Sequence, residues 1–142
     1  LRASKAPRIV NVGSVFGDIG HPMFAAYSAS KFGLRGFSDA MRRELMVEGI
    51  GVTYVAPRAT HTDASHQFDH LIETFSMTVD SAEVAAAQVL RAIQRDARNS
   101  YARGPEKFFV FLQRFAPALI DQALGRKTPA PPSNAERTRQ EG

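Results

Sequence analysis

Apolar positions along this chain follow two rhythms. Residues 8–14 and 51–56 are short runs rich in Ile and Val, the first stopped by Gly13 and the second by Pro57, and both predict buried strands. Between them, residues 25–48 repeat apolar positions at helical spacing and close at Gly49, which predicts one long helix. Ser81 followed by Ala82-Glu83-Val84 predicts a capped helix that continues to about Asp96, and residues 100–103 predict a short last strand. A brief amphipathic piece holds Phe68, Leu71, Ile72 and Phe75. Strands that alternate with helices imply crossover connections and a parallel sheet of α/β class. Such a sheet is covered on both faces, and this stretch supplies three of its strands.

After Gly104 the apolar residues again recur at helical spacing, from Phe108 to Leu124, with a break near Pro117. This predicts an amphipathic helix or helix pair. Three uses fit it, ranked as packing on the sheet, contact with a second subunit, and rest on a membrane surface beside Arg114, Arg126 and Lys127. Residues 1–124 form one domain in this reading. Residues 125–142, dominated by Pro, Ala, Ser, Asn and charge, read as a disordered tail. There is no internal repeat.

Composition changes this picture little. The 142 residues are 44% hydrophobic, an ordinary globular balance for one modest domain. The absence of cysteine excludes disulfides and thiolate metal sites and leaves the redox compartment open, with the cytoplasm as the default location. A formal charge of +4 and a pI of about 9.9 reflect scattered Lys and Arg and the tail, which is solubility charge and not a nucleic-acid footprint. No run reaches the length of a membrane span, and the first residues lack the apolar core of a signal peptide. His61, His66 and His70 contain one pair four apart but no third ligand at clear spacing, so they read as loop histidines and no metal is expected.

The chemistry centres on Tyr27-Ser28-Ala29-Ser30-Lys31 at the start of the long helix, with Ser14 thirteen residues upstream. Residues four apart on a helix share a face, so the Tyr27 phenol and the Lys31 ammonium can serve one small site. A nearby cation favours phenolate, which lets a tyrosine exchange a proton with an alcohol near neutral pH. Ser14 can donate a hydroxyl to the same oxygen. A lone Tyr and Lys at this spacing also arises by chance on helices, so the pair gains its meaning from its surroundings.

Those surroundings are specific. Arg8-Ile9-Val10-Asn11-Val12-Gly13-Ser14-Val15-Phe16-Gly17, Tyr27-Ser28-Ala29-Ser30-Lys31-Phe32-Gly33-Leu34 and Gly51-Val52-Thr53-Tyr54-Val55-Ala56-Pro57 resemble, in order and spacing, the second half of a short-chain dehydrogenase/reductase over residues 8–104. The resemblance implies a partial doubly wound parallel sheet, Rossmann-like, of which this chain is the C-terminal half. It also implies Ser14, Tyr27 and Lys31 as catalytic residues, with Tyr27 and Lys31 also touching an NAD or NADP cofactor. Pro57 would open the cofactor-binding segment, Thr60 would fall on the position that meets the nicotinamide carboxamide and Thr62 would match the family's threonine. Arg58 stands where the family has glycine, which puts that turn in doubt. The glycine-rich diphosphate turn, the residue that selects NAD or NADP and the family's catalytic asparagine have no counterpart here. The chain therefore reads as half of a site, expected to bind dinucleotide weakly by itself and to work, when full length, as a homo-oligomer that interconverts a carbonyl and an alcohol. Apolar residues at 16, 23, 24, 68, 71, 72, 75 and 77 favour a lipophilic substrate, although most of them also fit ordinary core. The alternative is a non-catalytic fragment or pseudo-enzyme that acts only in protein contacts.

Overall fold

A computed structural model describes residues 5–60 and 69–128. Strand β1 (Arg8–Val12) leads through a 3₁₀ turn (Val15–Gly17) into α1 (Ala25–Leu45). β2 (Gly51–Ala56) follows, then β3 (Ala59–Thr60), α2 (Asp69–Thr74), β4 (Val79–Asp80), α3 (Ala82–Gln94), β5 (Asn99–Tyr101), α4 (Glu106–Phe115) and α5 (Pro117–Gly125). The main sheet is parallel, in the order β1-β2-β5, with Arg8 opposite Gly51, Val12 opposite Val55 and Ala56 opposite Tyr101.

β2 is the centre of the molecule. Val52 to Ala56 are all buried, which requires cover on both faces and explains the unbroken apolar run. α1 packs against β2, and α3 packs against β2 and β5. Gln88 of α3 is buried and donates to the carbonyls of Ala56 (3.3 Å) and Ser100 (3.2 Å), which ties the helix to both strands. The far end of α1 is latched by Arg42, which donates to the carbonyls of Val52 and Arg98, each at 2.9 Å, and pairs with Asp39. Past Leu45 the helix tightens into a 3₁₀ turn and stops at Gly49, whose φ of 67° suits a residue without a β-carbon.

The predicted elements appear with small shifts. The expected single helix over 25–48 is an α-helix to Leu45 with a 3₁₀ end, the last strand begins one residue early, and Ser81 caps α3 by accepting from Val84 N at 3.4 Å. The C-terminal apolar stretch is a helix pair that breaks at Ala116 and Pro117. A small parallel pair, β3 with β4, is additional: Ala59 faces Val79 and Thr60 faces Asp80. His61, Thr62, His66, Phe68 and residues 129–142 of the expected tail lie outside the described residues.

Candidate active site

Ser14 sits where β1 ends. Gly13 N donates to Val55 O at 2.7 Å, and Ser14, still extended, turns the chain by accepting Phe16 N on its hydroxyl oxygen at 3.2 Å. That contact uses an acceptor lone pair, so the Ser14 proton stays free to be donated elsewhere. The turn is clamped from β2 by Tyr54, which is 0% exposed: its phenol donates to Ser14 O (2.8 Å) and accepts from Ser14 N (3.2 Å). Burial pushes the Tyr54 phenol above its ordinary pKa, which keeps it a donor. A β-carbon on Gly13 would lie 2.3 Å from the Tyr54 ring, and one on Gly17 would lie 2.4 Å from the Tyr54 hydroxyl and 2.7 Å from Lys31 O. The two glycines are there to admit Tyr54 and α1.

A second set of contacts fixes the other end of the turn. Asp18 accepts from Tyr101 of β5 at 3.0 Å and from Arg35 of α1 at 3.3 Å, and Arg35 also donates to Asn99 at 2.6 Å while lying over the Tyr54 ring at 4.9 Å. Burial raises the Asp18 pKa despite these two donors, so desolvation outweighs the ion pair here. Burial likewise raises the Tyr101 phenol, with the Asp18 charge acting in the same direction. None of Asp18, Arg35, Tyr54 or Tyr101 stood out in the sequence. The signal that could have found one of them is a tyrosine in a strand otherwise made of small and β-branched residues.

Tyr27 and Lys31 lie within the first two turns of α1. Tyr27 is 43% exposed, and its ring meets Phe16 edge-on at 6.1 Å and Phe24 at 6.4 Å. Phe16 therefore joins the Ser14 turn to Tyr27. The Lys31 ammonium lies 5.4 Å from the Tyr27 ring centroid, within cation–π range. Pro57 and Thr60 follow the end of β2. The Thr60 hydroxyl donates to Arg58 O at 3.1 Å, and its backbone belongs to the pairing with Asp80. Arg58, the position of doubt, is not among the non-glycine residues with positive φ, which are Met23, Ser76 and Asp96 among the described residues, so the turn accommodates its β-carbon. Its guanidinium pairs with Glu106 at the start of α4 and with Asp80 of β4, and donates to Arg103 O.

Beside the Ser14 turn opens an apolar cavity of about 240 Å³, walled by Val15, Phe16, Phe75, Phe109, Ile120 and Leu124 among others. Of the residues expected at the mouth, Leu71 and Phe75 are buried while Met23 is largely exposed. His21 also borders the cavity, stacked on Phe16 at 4.6 Å and edge-on to Phe75 at 4.4 Å. Burial lowers its pKa, against a contact from Nδ1 to Pro22 O at 3.0 Å that acts in the opposite sense. A larger cavity of about 470 Å³ runs along α3 and β5, and Ser14, Tyr27 and Lys31 line neither of the two. His70 is exposed on α2.

The profile of the short chain dehydrogenase family matches residues 1–72. The chain belongs to the short-chain dehydrogenase family. Among its relatives, the putative oxidoreductase SadH of Mycobacterium tuberculosis is 32% identical over 136 residues, which is 87% of this chain and 46% of that protein. The 3-oxoacyl-[acyl-carrier-protein] reductase FabG of Vibrio harveyi is 37% identical over 99 residues, 65% of this chain and 41% of FabG. A crystal structure of a short chain dehydrogenase from Burkholderia cenocepacia in complex with NADP superposes with a TM-score of 0.71 at 21% identity, over 84% of this chain and 47% of that one, which shows the shared fold. This short-chain dehydrogenase chain thus spans less than half the length of the relatives it matches.

Proposed function

We propose that the full-length protein is an NAD(P)-dependent oxidoreductase that interconverts a lipophilic ketone or aldehyde and its alcohol. The observation that carries this reading is the meeting of the Ser14 turn with the first turns of α1, where Phe16 bridges to Tyr27 and Lys31 lies over the Tyr27 ring. Family membership supports it, as do solved relatives described in complex with NADP and, for a 4-hydroxyisoleucine dehydrogenase 27% identical to this chain with a TM-score of 0.51, with NADH.

The nicotinamide end of such a cofactor fits the residues present. Open α/β sheets place ligands at the carboxyl ends of their strands, which is where Ser14, Pro57 and Thr60 follow β1 and β2. The diphosphate end does not fit them: Gly13 and Gly17 face Tyr54 and Lys31 O and leave no cradle for a phosphate. Residues outside this stretch would hold it.

NAD(P) supplies or accepts hydride at its nicotinamide ring. The chain's own residues manage the substrate oxygen. Tyr27 gives a proton to that oxygen as a carbonyl is reduced and takes it back in the reverse direction. Ser14 donates its hydroxyl to the same oxygen, a contact that strengthens as negative charge develops. Lys31 would hold the ribose of the cofactor, while Thr60 and Thr62, in the segment opened by Pro57, would orient its carboxamide. The apolar cavity beside Val15 and Phe16 takes the hydrocarbon part of the substrate.

The test is oxidation of NADH or NADPH by the full-length protein with medium-chain and alicyclic ketones. Ser14→Ala is expected to lower kcat by roughly 10² to 10³, the scale of one oxyanion donor, at unchanged cofactor affinity. Equal kcat in the two proteins would remove Ser14 from the reaction.

A further inference from the structure

The C-terminal helix pair turns one side inward and a different one outward. Phe109, although 43% exposed, borders the apolar cavity with Ile120 and Leu124 of α5, whereas Phe108, Phe111 and Phe115 of α4 are 60%, 59% and 68% exposed and do not. At 3.6 residues per turn these three fall within an arc of about 60°. The rings of Phe111 and Phe115 touch at 4.6 Å, so the stripe is continuous, and exposed Leu119 of α5 adds to it. The first expectation for this segment, packing on the sheet, is not what the structure shows: α4 and α5 make their main contacts with each other, and this stripe is uncovered. Three phenylalanines exposed to this degree present roughly 300–400 Å² of apolar surface, the size at which a patch marks an interaction site.

The charge around the stripe decides what it meets. Lys107 and Arg114 are exposed and adjoin the phenylalanine arc on one side, with Arg126 and Lys127 exposed at the end of α5. Of the acidic residues on the pair, Glu106 is engaged by Arg58, which leaves Asp121. A second copy docked antiparallel through this stripe about a two-fold axis would bring like-charged rims together. An anionic bilayer surface instead offers headgroup charge to the rim and acyl boundary to the rings. At about 15 Å and 14 Å the helices are far shorter than a hydrocarbon core of about 30 Å, so they would lie flat. Among the described residues no helix is long and apolar enough to cross a membrane.

We propose that α4 and α5 form an interfacial element that seats the protein on an anionic lipid surface, with lipophilic substrate passing from the bilayer into the cavity that the same helices wall. The substrate half of this inference rests on the function proposed above. The docking half does not.

Flotation of the full-length protein with phosphatidylcholine vesicles, with and without phosphatidylglycerol, tests it. The wild type should float with the anionic vesicles and lose binding as salt rises. Combined Phe108→Ser, Phe111→Ser and Phe115→Ser should reduce partitioning more than tenfold without lowering the melting temperature. Combined Lys107→Gln and Arg114→Gln should reduce it about 25-fold on anionic vesicles, at roughly fivefold per cation, and leave neutral vesicles unaffected. Reduction of a short water-soluble ketone should be equal in all three proteins. Failure to float overturns the docking, and a concentration-dependent dimer abolished by the serine substitutions would identify a second copy as the occupant. Flotation without any ketone reduction upholds the docking and overturns the substrate half.

Discussion

Replacing Tyr54 by Phe isolates the clamp on the Ser14 turn, because it removes one oxygen from a ring that is 0% exposed and leaves the ring's packing in place. Two hydrogen bonds go with it, the 2.8 Å bond to Ser14 O and the 3.2 Å bond from Ser14 N. At a net ~0.5–1.5 kcal/mol each, the loss is ~1–3 kcal/mol, toward the upper end if water does not reach the freed backbone groups. Urea unfolding of the full-length protein should show that loss as a lower midpoint at unchanged slope. Activity gives a sharper reading. If the phenol acts by holding Ser14, Tyr54→Phe should lower kcat by about tenfold or more, and the double variant with Ser14→Ala should be little slower than Ser14→Ala alone. An unchanged unfolding midpoint, or a double variant in which the two losses multiply, would refute the clamp.

Three further predictions concern charge. Arg58→Ala strips Glu106 and Asp80 of their partner in a largely covered cluster and should destabilise by ~1.5–3 kcal/mol in denaturant unfolding. Burial alone would raise the Glu106 carboxyl, but its bonds from Arg58 and its own backbone amide, with the Arg58 charge, carry it below 4.5. Its contribution is therefore complete above about pH 4.5 and is lost as pH falls through the folded-state value, so Glu106→Gln should flatten the acid limb of a plot of melting temperature against pH. For His21, burial lowers the folded-state pKa below 6.5, so the unfolded chain takes up the proton first and stability declines as pH falls below about 6.5. His21→Gln should lose less melting temperature than the wild type between about pH 7 and pH 5.5, above the range where carboxylates dominate. Equal slopes would show that the imidazole is not held neutral.

Much of this architecture was legible in the sequence because its main helices carry long periodic signals and its main strands are compact apolar runs bounded by breakers. α1 and α3 advertise their helical period, β1 and β2 are short runs rich in Ile and Val, and Gly49, Ser81 and Pro117 mark ends that local backbone chemistry dictates. The β3 and β4 pair could not be read, since a ladder of two residues has no period. Nor could the support of the Ser14 turn, because Asp18 reaches Arg35 and Tyr101 across 17 and 83 residues, and such pairings are set by sheet order. Arg58 drew notice as a departure from the family pattern, yet its significance lies in the ion pairs of its side chain and not in a backbone angle. The helical spacing of α4 revealed an apolar stripe, but spacing is blind to direction, and only the packed structure shows Phe109 bordering the cavity and Phe111 away from it.

The central claim, that the Tyr27 phenol handles the proton of the substrate oxygen, is tested most directly by comparing Tyr27→Phe with wild type in the full-length protein, with ketone reduction and NAD(P)H binding measured on the same samples. A fall in kcat of roughly 10² to 10⁴ with cofactor affinity preserved is the predicted result. Turnover near the wild-type rate, with cofactor bound equally well, would contradict it.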